Sequence, residues 1–120
     1  MSSHAVAVSP AWTIPGYLEV ANGHLTINGV NALSLVNEYG SPLFVFSAPR
    51  IRSNVERLKL AAQAVERPIR FFYASKANSN MAVLKTVLES GIDVEVNSGG
   101  ELFKALRVGF RPDQIIFNGT

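Results

Sequence analysis

Hydrophobic and polar positions follow a regular pattern from residue 42 to the end of the 120-residue chain. Four strand-like segments recur in this part, LFVFS, IRFFYA, IDVEVN and QIIFNG, and the first of them is a continuous apolar run. Short continuous apolar runs predict strands that are covered on both faces. We therefore predict strands over residues 43–47, 69–74, 92–97 and 114–119.

The segments between these runs have apolar residues spaced three or four apart, which is typical of amphipathic helices. The first predicted helix spans residues 49–66, and the second has an apolar face that ends at Gly91. The third opens with a capping box from Ser98 to Glu101 and closes at Gly109. One helix thus separates each pair of strands.

This alternation predicts an α/β fold with parallel strands and right-handed crossovers. An open sheet of four such strands would leave long apolar edges exposed, which invites aggregation. The pattern therefore favours the N-terminal half of a (β/α)8 TIM-type barrel. We expect the barrel to be truncated, because the repeat has no terminating element and the chain stops after a strand.

The residues before the repeat predict a smaller, separate arrangement. Asn22-Gly23 lies between two short alternating runs, which is a strong hairpin signal. A short helix should follow, with Asn31 as its N-cap and Gly40 as its stop. The expected organisation is a loose lead-in, a hairpin with a helix, and the first part of a barrel, over residues 1–16, 17–41 and 42–120.

Composition excludes several classes of site. The formal net charge is only +2, without a run of basic residues that would suggest nucleic acid. The chain has no cysteine, and its two histidines, His4 and His24, are far apart in sequence, so we predict no metal site. No apolar run approaches the roughly 20 residues that span a bilayer. The start lacks the features of a secretory signal, so a cytoplasmic protein is expected.

Candidate chemistry lies where the strands end, because parallel α/β folds gather function at that edge. The residues there are Ser47, Ala74, Ser75, Lys76, Asn78, Glu95, Asn97, Ser98 and Asn118. Lys76 is the one cation among them. It is either an ordinary solvated loop lysine or a functional amine that pairs with a phosphate, acts as a base or forms a Schiff base with an aldehyde.

Two other features have a structural and a functional interpretation. The Ser98-Gly99-Gly100 turn caps a helix, and it could also admit an anion at the helix N-terminus. Asp93 and Glu95 lie on one face of a strand, where they could do acid–base work or pair with Lys76 or another base. Glu95 is closer to the functional end of that strand.

The ordered motifs FYASKANSN, SGGELFKAL and IIFNGT resemble the N-terminal half of the pyridoxal-phosphate-dependent basic amino-acid decarboxylases, which have the alanine-racemase-like barrel of fold type III. The preceding stretch, with a helix that ends in Tyr-Gly-x-Pro-Leu, is more similar to diaminopimelate decarboxylase than to ornithine decarboxylase. The resemblance spans residues 17–119.

The resemblance implies roles for four residues. Lys76 matches the lysine that holds pyridoxal 5'-phosphate as a Schiff base, and Ala74 matches a small residue beside the cofactor ring. Glu95 falls where the family has an aspartate near the cofactor. Ser98 belongs to the family's Ser-Gly-Gly-Glu turn.

The implied activity is decarboxylation of a diamino acid, with meso-diaminopimelate favoured as substrate and L-lysine as product. The alternatives are a related ornithine, arginine or carboxynorspermidine decarboxylase, and a non-catalytic pyridoxal-phosphate binder or truncated inactive paralogue. An alanine racemase is disfavoured, because Ser-Asn-Met follows Lys-Ala-Asn here. The resemblance also implies a homodimer, and a C-terminal β domain that packs on the hairpin part. We expect the 120-residue segment to be inactive by itself.

Overall fold

The computed structural model of the chain describes residues 10–119. Residues 1–9, which are most of the predicted lead-in, lie outside this described part. The chain forms two compact units, Met1–Ser47 and Ala48–Thr120. None of the helices among the described residues is long and apolar enough to cross a membrane.

The first unit contains the predicted hairpin. Strands β1 (Leu18–Ala21) and β2 (His24–Ile27) pair antiparallel on either side of Asn22 and Gly23. Both turn residues have positive φ angles, of 52° and 76°. This conformation suits the tight hairpin turn that Asn-Gly favours, so the prediction is confirmed. A two-residue strand, β3 (Val30–Asn31), extends the sheet beside β2.

Helix α1 (Ala32–Tyr39) follows β3 and is capped as predicted. The Asn31 side chain accepts a 2.8 Å hydrogen bond from the Leu33 N–H, which satisfies one donor in the open first turn. Gly40 ends the helix with a φ of 84°, and its N–H donates to the Val36 carbonyl. The prediction of a short helix with these two caps is confirmed.

The predicted strand over residues 43–47 is wrong. This segment has no regular secondary structure, and Phe44 and Phe46 are 85% and 60% exposed. A strand needs a neighbour to take up its backbone hydrogen bonds, and no sheet within residues 10–119 includes this segment. Ser47, expected at a strand end, instead donates a hydrogen bond from its hydroxyl to Asn28 Oδ1.

The second unit alternates helices and strands, as the sequence predicts. Its elements are α2 (Ala48–Ala62), β4 (Phe72–Ala74), α3 (Met81–Glu89), β5 (Asp93–Val96), α4 (Gly99–Val108) and β6 (Ile115–Phe117). The three strands form a parallel sheet in chain order, β4–β5–β6. Consecutive parallel strands joined by helices are the building plan of a (β/α)8 barrel. The predicted α/β class is confirmed, with three of its four strands.

Two boundaries in this unit differ from prediction around Pro68. Helix α2 ends at Ala62, four residues before the predicted end at 66. The backbone then forms hydrogen bonds between residues three apart, such as the 3.1 Å bond from the Gln63 N–H to the Leu60 carbonyl. A proline disfavours helical geometry at the preceding residue and donates no backbone hydrogen bond. Strand β4 begins only at Phe72, three residues after the predicted start, because Phe72 is the register partner of Asp93, the first residue of β5.

The core of the second unit lies between the helices and one face of the sheet. Val94 and Val96 of β5 are fully buried, together with Leu84 of α3 and Ala105 of α4. Asp93 and Glu95 alternate with the two valines along β5 and are only partly buried. The strand thus directs its apolar side chains to the helices and its two acids to the other face.

Candidate functional site

The carboxyl ends of β4, β5 and β6 meet at one edge of the sheet, as their parallel pairing requires. Ala74 is the register partner of Glu95, and Val96 is the partner of Phe117. The loops that carry Lys76, Ser98 and Asn118 follow directly from these strand ends. The structure therefore brings the four predicted site residues, Ala74, Lys76, Glu95 and Ser98, to the same edge of the sheet.

Lys76 lies in a single 3₁₀ turn, Ser75–Ala77, that leads the chain away from β4. Its side chain is exposed. Within the described residues its amine has neither a hydrogen-bond nor an ion-pair partner, whereas the other three lysines contact Ser90, Glu89 and Ser79. Lys76 is therefore the lysine whose amine is available to a ligand at this edge.

Ala74 and Glu95 lie side by side on adjacent strands and on the same face of the sheet. Ala74 is half-buried and presents only a methyl group. Glu95 is also half-buried, and its Oε1 accepts a 2.7 Å hydrogen bond from Asn118 Nδ2. A carboxylate oriented by an amide from the next loop remains able to accept further hydrogen bonds.

Asp93 has a different position and partner. It lies at the amino end of β5, where Arg70 Nη2 forms a 2.5 Å ion pair with its Oδ2. The same arginine donates to the carbonyl of Asp113 at 3.0 Å. The sequence allowed either acid on β5 to pair with a base. In the structure Asp93 pairs with Arg70, and Glu95 is the acid of the two that lies at the strand-end site.

Ser98 caps α4, and its hydroxyl accepts a 3.2 Å hydrogen bond from the Glu101 N–H. The predicted cap is confirmed, but the return contact of a capping box is displaced. Glu101 Oε2 accepts from the Asn97 N–H at 2.9 Å, one residue before the cap. It also accepts from the Ser75 hydroxyl at 2.5 Å.

The sequence placed Glu101 in the capping box and the Ser-Gly-Gly-Glu turn, but it missed the contact of Glu101 with the loop that carries Lys76. The pKa of Glu101 is lowered, first by the hydrogen bond from Ser75 and then by that from the Asn97 N–H. The positive charge of Lys104 acts in the same direction. Hydrogen bonds to a carboxylate favour the ionised form. Sequence motifs gave no signal for this contact, because Ser75 and Glu101 are 26 residues apart and come together only through the sheet.

Two further polar side chains complete this edge. Asn97 Nδ2 donates to the Asn118 carbonyl at 2.6 Å, while its Oδ1 is buried and has no partner within the described part of the chain. The Tyr73 hydroxyl donates to the Asn78 carbonyl at 3.1 Å, and burial raises its pKa. Tyr73 packs against the core and holds the loop after Lys76 through this hydrogen bond.

Comparison with known proteins gives these residues a family context. The family described as "Pyridoxal-dependent decarboxylase, pyridoxal binding domain" matches residues 51–120. The diaminopimelate decarboxylase of Methanothermobacter thermautotrophicus is 43% identical over 98 residues, which are 82% of this chain and 23% of that protein. The Bacillus subtilis enzyme of the same name is 40% identical over 99 residues, with coverages of 82% and 23%.

Solved structures agree with the sequence matches. The crystal structure of diaminopimelate decarboxylase from M. jannaschii in complex with L-lysine superposes with a TM-score of 0.75 at 31% identity. It covers 87% of this chain, and the chain covers 25% of it. The chain thus spans about a quarter of the length of these relatives. Because the family match extends over more than half of its residues, this chain belongs to the pyridoxal-binding domains of the pyridoxal-dependent decarboxylases.

Proposed function

We propose that Lys76 is the residue that binds pyridoxal 5'-phosphate covalently, and that the whole protein decarboxylates a diamino acid. The observation that carries this proposal is the Lys76 amine, which lies at the strand-end edge without a partner among the described residues. A primary amine can bond to an aldehyde only when it is unprotonated and accessible. An exposed lysine held at a fixed turn satisfies the requirement for access.

The residues around Lys76 fit this cofactor. The buried Asn97 Oδ1 lacks a donor among residues 10–119, so a bound group with an N–H or O–H could satisfy it. Gly99 has no heavy atom within 4 Å of the position where a Cβ would lie, which leaves the first turn of α4 open. We assign Ala74, Glu95 and Ser98 to the cofactor site together with Lys76.

The chain's own residues have separate tasks in this proposal. Lys76 Nζ forms the covalent link and, when released, can carry a proton. Ala74 leaves space beside it, and Glu95, oriented by Asn118, provides a negative charge and hydrogen-bond acceptors. When bound, pyridoxal phosphate supplies an electron sink for the electrons left as carbon dioxide departs.

The substrate part of the proposal is meso-diaminopimelate, converted to L-lysine. It is supported by relatives named diaminopimelate decarboxylase at 43% and 40% identity and by the M. jannaschii enzyme solved with L-lysine. Homodimerisation and a cytoplasmic location belong to the same proposal. Analytical ultracentrifugation and cell fractionation test these two statements directly.

The first experiment is to add pyridoxal phosphate to the purified protein, reduce with borohydride and locate the label by peptide mass spectrometry. We expect the label on Lys76, and Lys76→Ala should abolish it. Lys85→Ala is the matched control, because Lys85 is an exposed lysine on α3 away from the strand ends. A label that remains undiminished in Lys76→Ala contradicts the assignment.

The second experiment tests the substrate with the full-length protein. Release of carbon dioxide from meso-diaminopimelate should exceed that from ornithine, arginine and carboxynorspermidine, and should disappear in Lys76→Ala. A preference for ornithine, arginine or carboxynorspermidine overturns the proposed substrate but leaves the role of Lys76 intact. No carbon dioxide from any of them, with Lys76 still labelled, indicates a non-catalytic binder.

A further inference from the structure

The loop that carries Lys76 is held by α4 on both sides of the lysine. Before it, the fully buried Ser75 donates its hydroxyl hydrogen to Glu101 Oε2 at 2.5 Å. After it, Ser79 Oγ accepts a 2.9 Å hydrogen bond from Lys104 Nζ. Glu101 and Lys104 are three residues apart on α4, so they lie on the same side of that helix. We call these four residues the serine clamp.

The carboxylate in the serine clamp also connects two loops. Glu101 Oε2, the oxygen that accepts from Ser75, accepts a 2.9 Å hydrogen bond from the Asn97 N–H in the loop after β5. One oxygen atom therefore joins the end of β4 to the end of β5. Hydrogen bonds to a charged acceptor are shorter and stronger than neutral ones, and Ser75 is fully buried. Such a contact fixes backbone position.

We infer that Glu101 is a positioning residue that holds the Lys76 backbone for covalent binding of the cofactor. This inference rests on the proposed function, since it assigns a purpose to the position of Lys76. A lysine amine stands on a flexible four-carbon stem, so its reach is defined only if the backbone beneath it is fixed. Small misplacements of a reacting group reduce rates strongly, and support from surrounding hydrogen bonds prevents them.

Variants of the serine clamp test this inference in the full-length protein. Ser75→Ala and Glu101→Ala each remove the contact before Lys76. Glu101→Gln is the conservative variant, because its amide oxygen can still accept from both Ser75 and the Asn97 N–H. The matched control is Asn80→Ala, which removes the cap of α3, a 2.9 Å hydrogen bond that Asn80 Oδ1 accepts from the Ala82 N–H, but leaves the serine clamp intact.

The principal readout is the share of borohydride-fixed pyridoxal phosphate found on Lys76 relative to Lys85. We expect this ratio to fall about tenfold in Ser75→Ala and Glu101→Ala, and to stay near the wild-type value in Glu101→Gln and Asn80→Ala. The second readout is amide hydrogen exchange at Ser75 to Ser79, which needs no cofactor. Exchange there should accelerate in the same two variants and not in Asn80→Ala.

The outcomes separate this inference from the proposed function. If the wild type labels Lys76 and all four variants do so equally, the positioning role is overturned and the role of Lys76 stands. If Asn80→Ala loses as much Lys76 label as Glu101→Ala, the effect is one of general stability and the inference is again overturned. If the wild type does not label Lys76, the proposed function fails and the inference fails with it.

Discussion

Asp93 and Glu95 point from the same face of strand β5, yet they have different partners at opposite ends of the strand. Asp93 forms a 2.5 Å ion pair with Arg70, whereas Glu95 accepts a hydrogen bond from Asn118 at the carboxyl end. Asp93 is therefore a structural carboxylate, and Glu95 is the candidate functional one. The two acids differ in role because Glu95 is nearer the carboxyl end of β5. In parallel α/β folds the loops that bind ligands follow the carboxyl ends of the strands.

Asp93→Asn should reduce stability without affecting cofactor binding. The change removes the charge that pairs with Arg70, whose side chain is 61% exposed against 16% for Asp93. Solvent screening on the arginine side limits the loss in unfolding free energy to about 1 kcal/mol. Urea unfolding of both proteins measures this difference. A loss of pyridoxal-phosphate absorbance in Asp93→Asn would show that this carboxylate also belongs to the site.

Glu95→Gln should weaken cofactor binding while changing stability only slightly, the reverse of Asp93→Asn. Its amide oxygen can still accept the hydrogen bond from Asn118, so we expect the unfolding free energy to change by only about 0.5 kcal/mol. The lost negative charge should weaken pyridoxal-phosphate binding, by roughly tenfold if it is worth about 1.4 kcal/mol. Titration of the cofactor by its visible absorbance gives the dissociation constant. Equal affinity in Glu95→Gln and wild type would remove Glu95 from the cofactor site.

Leu84→Ala tests the packing that supports the sheet. Leu84 is fully buried between α3 and its neighbours, and replacing such a leucine by alanine leaves a cavity that costs about 2–5 kcal/mol. Leu60→Ala, at a position 54% exposed on α2, should cost about 0.5 kcal/mol or less. Thermal or urea unfolding compares the two variants. Similar losses in both would mean that the core does not lie where we place it.

The pKa of Glu101 predicts how stability depends on pH. Hydrogen bonds from Ser75 and the Asn97 N–H lower this pKa, and nearby Lys104 adds to the effect. Because the folded pKa lies below the unfolded value of about 4.3, the stabilisation is complete above that value. It is lost as the pH falls through the lower, folded pKa. The drop in unfolding free energy between about pH 6 and pH 3 should therefore be smaller in Glu101→Gln than in wild type.

Asp113 provides the control for this measurement. Its pKa is also lowered, chiefly by the hydrogen bond from Arg111, so it contributes to stability in the same acid range. Asp113→Asn should remove its own part of the pH dependence, and the double variant with Glu101→Gln should show the sum, because the two groups share no hydrogen bond. An unchanged acid-induced loss in Glu101→Gln would contradict the lowered pKa.

Local signals predicted much of the fold correctly. Asn22-Gly23 formed the hairpin turn because both residues tolerate positive φ, and Ser98 capped α4 because a hydroxyl satisfies an open backbone donor. The run at residues 43–47 shows the limit of such signals. Its apolar residues resembled those of a buried strand, but a strand exists only when another strand pairs with it, and pairing is not encoded within five residues.

The sequence by itself determined the βα alternation and the helix caps, because each depends on residues close together in the chain, and its family motifs singled out Lys76 as the candidate amine. Tertiary structure alone decided which carboxylate lies at the candidate site and what holds the lysine loop. Arg70 donates a hydrogen bond to Asp93 and Asn118 donates one to Glu95, each pair being 23 residues apart. Ser75 donates to Glu101 over a separation of 26 residues. Contacts over such separations arise from strand register and helix packing, which bring together side chains that no local pattern connects.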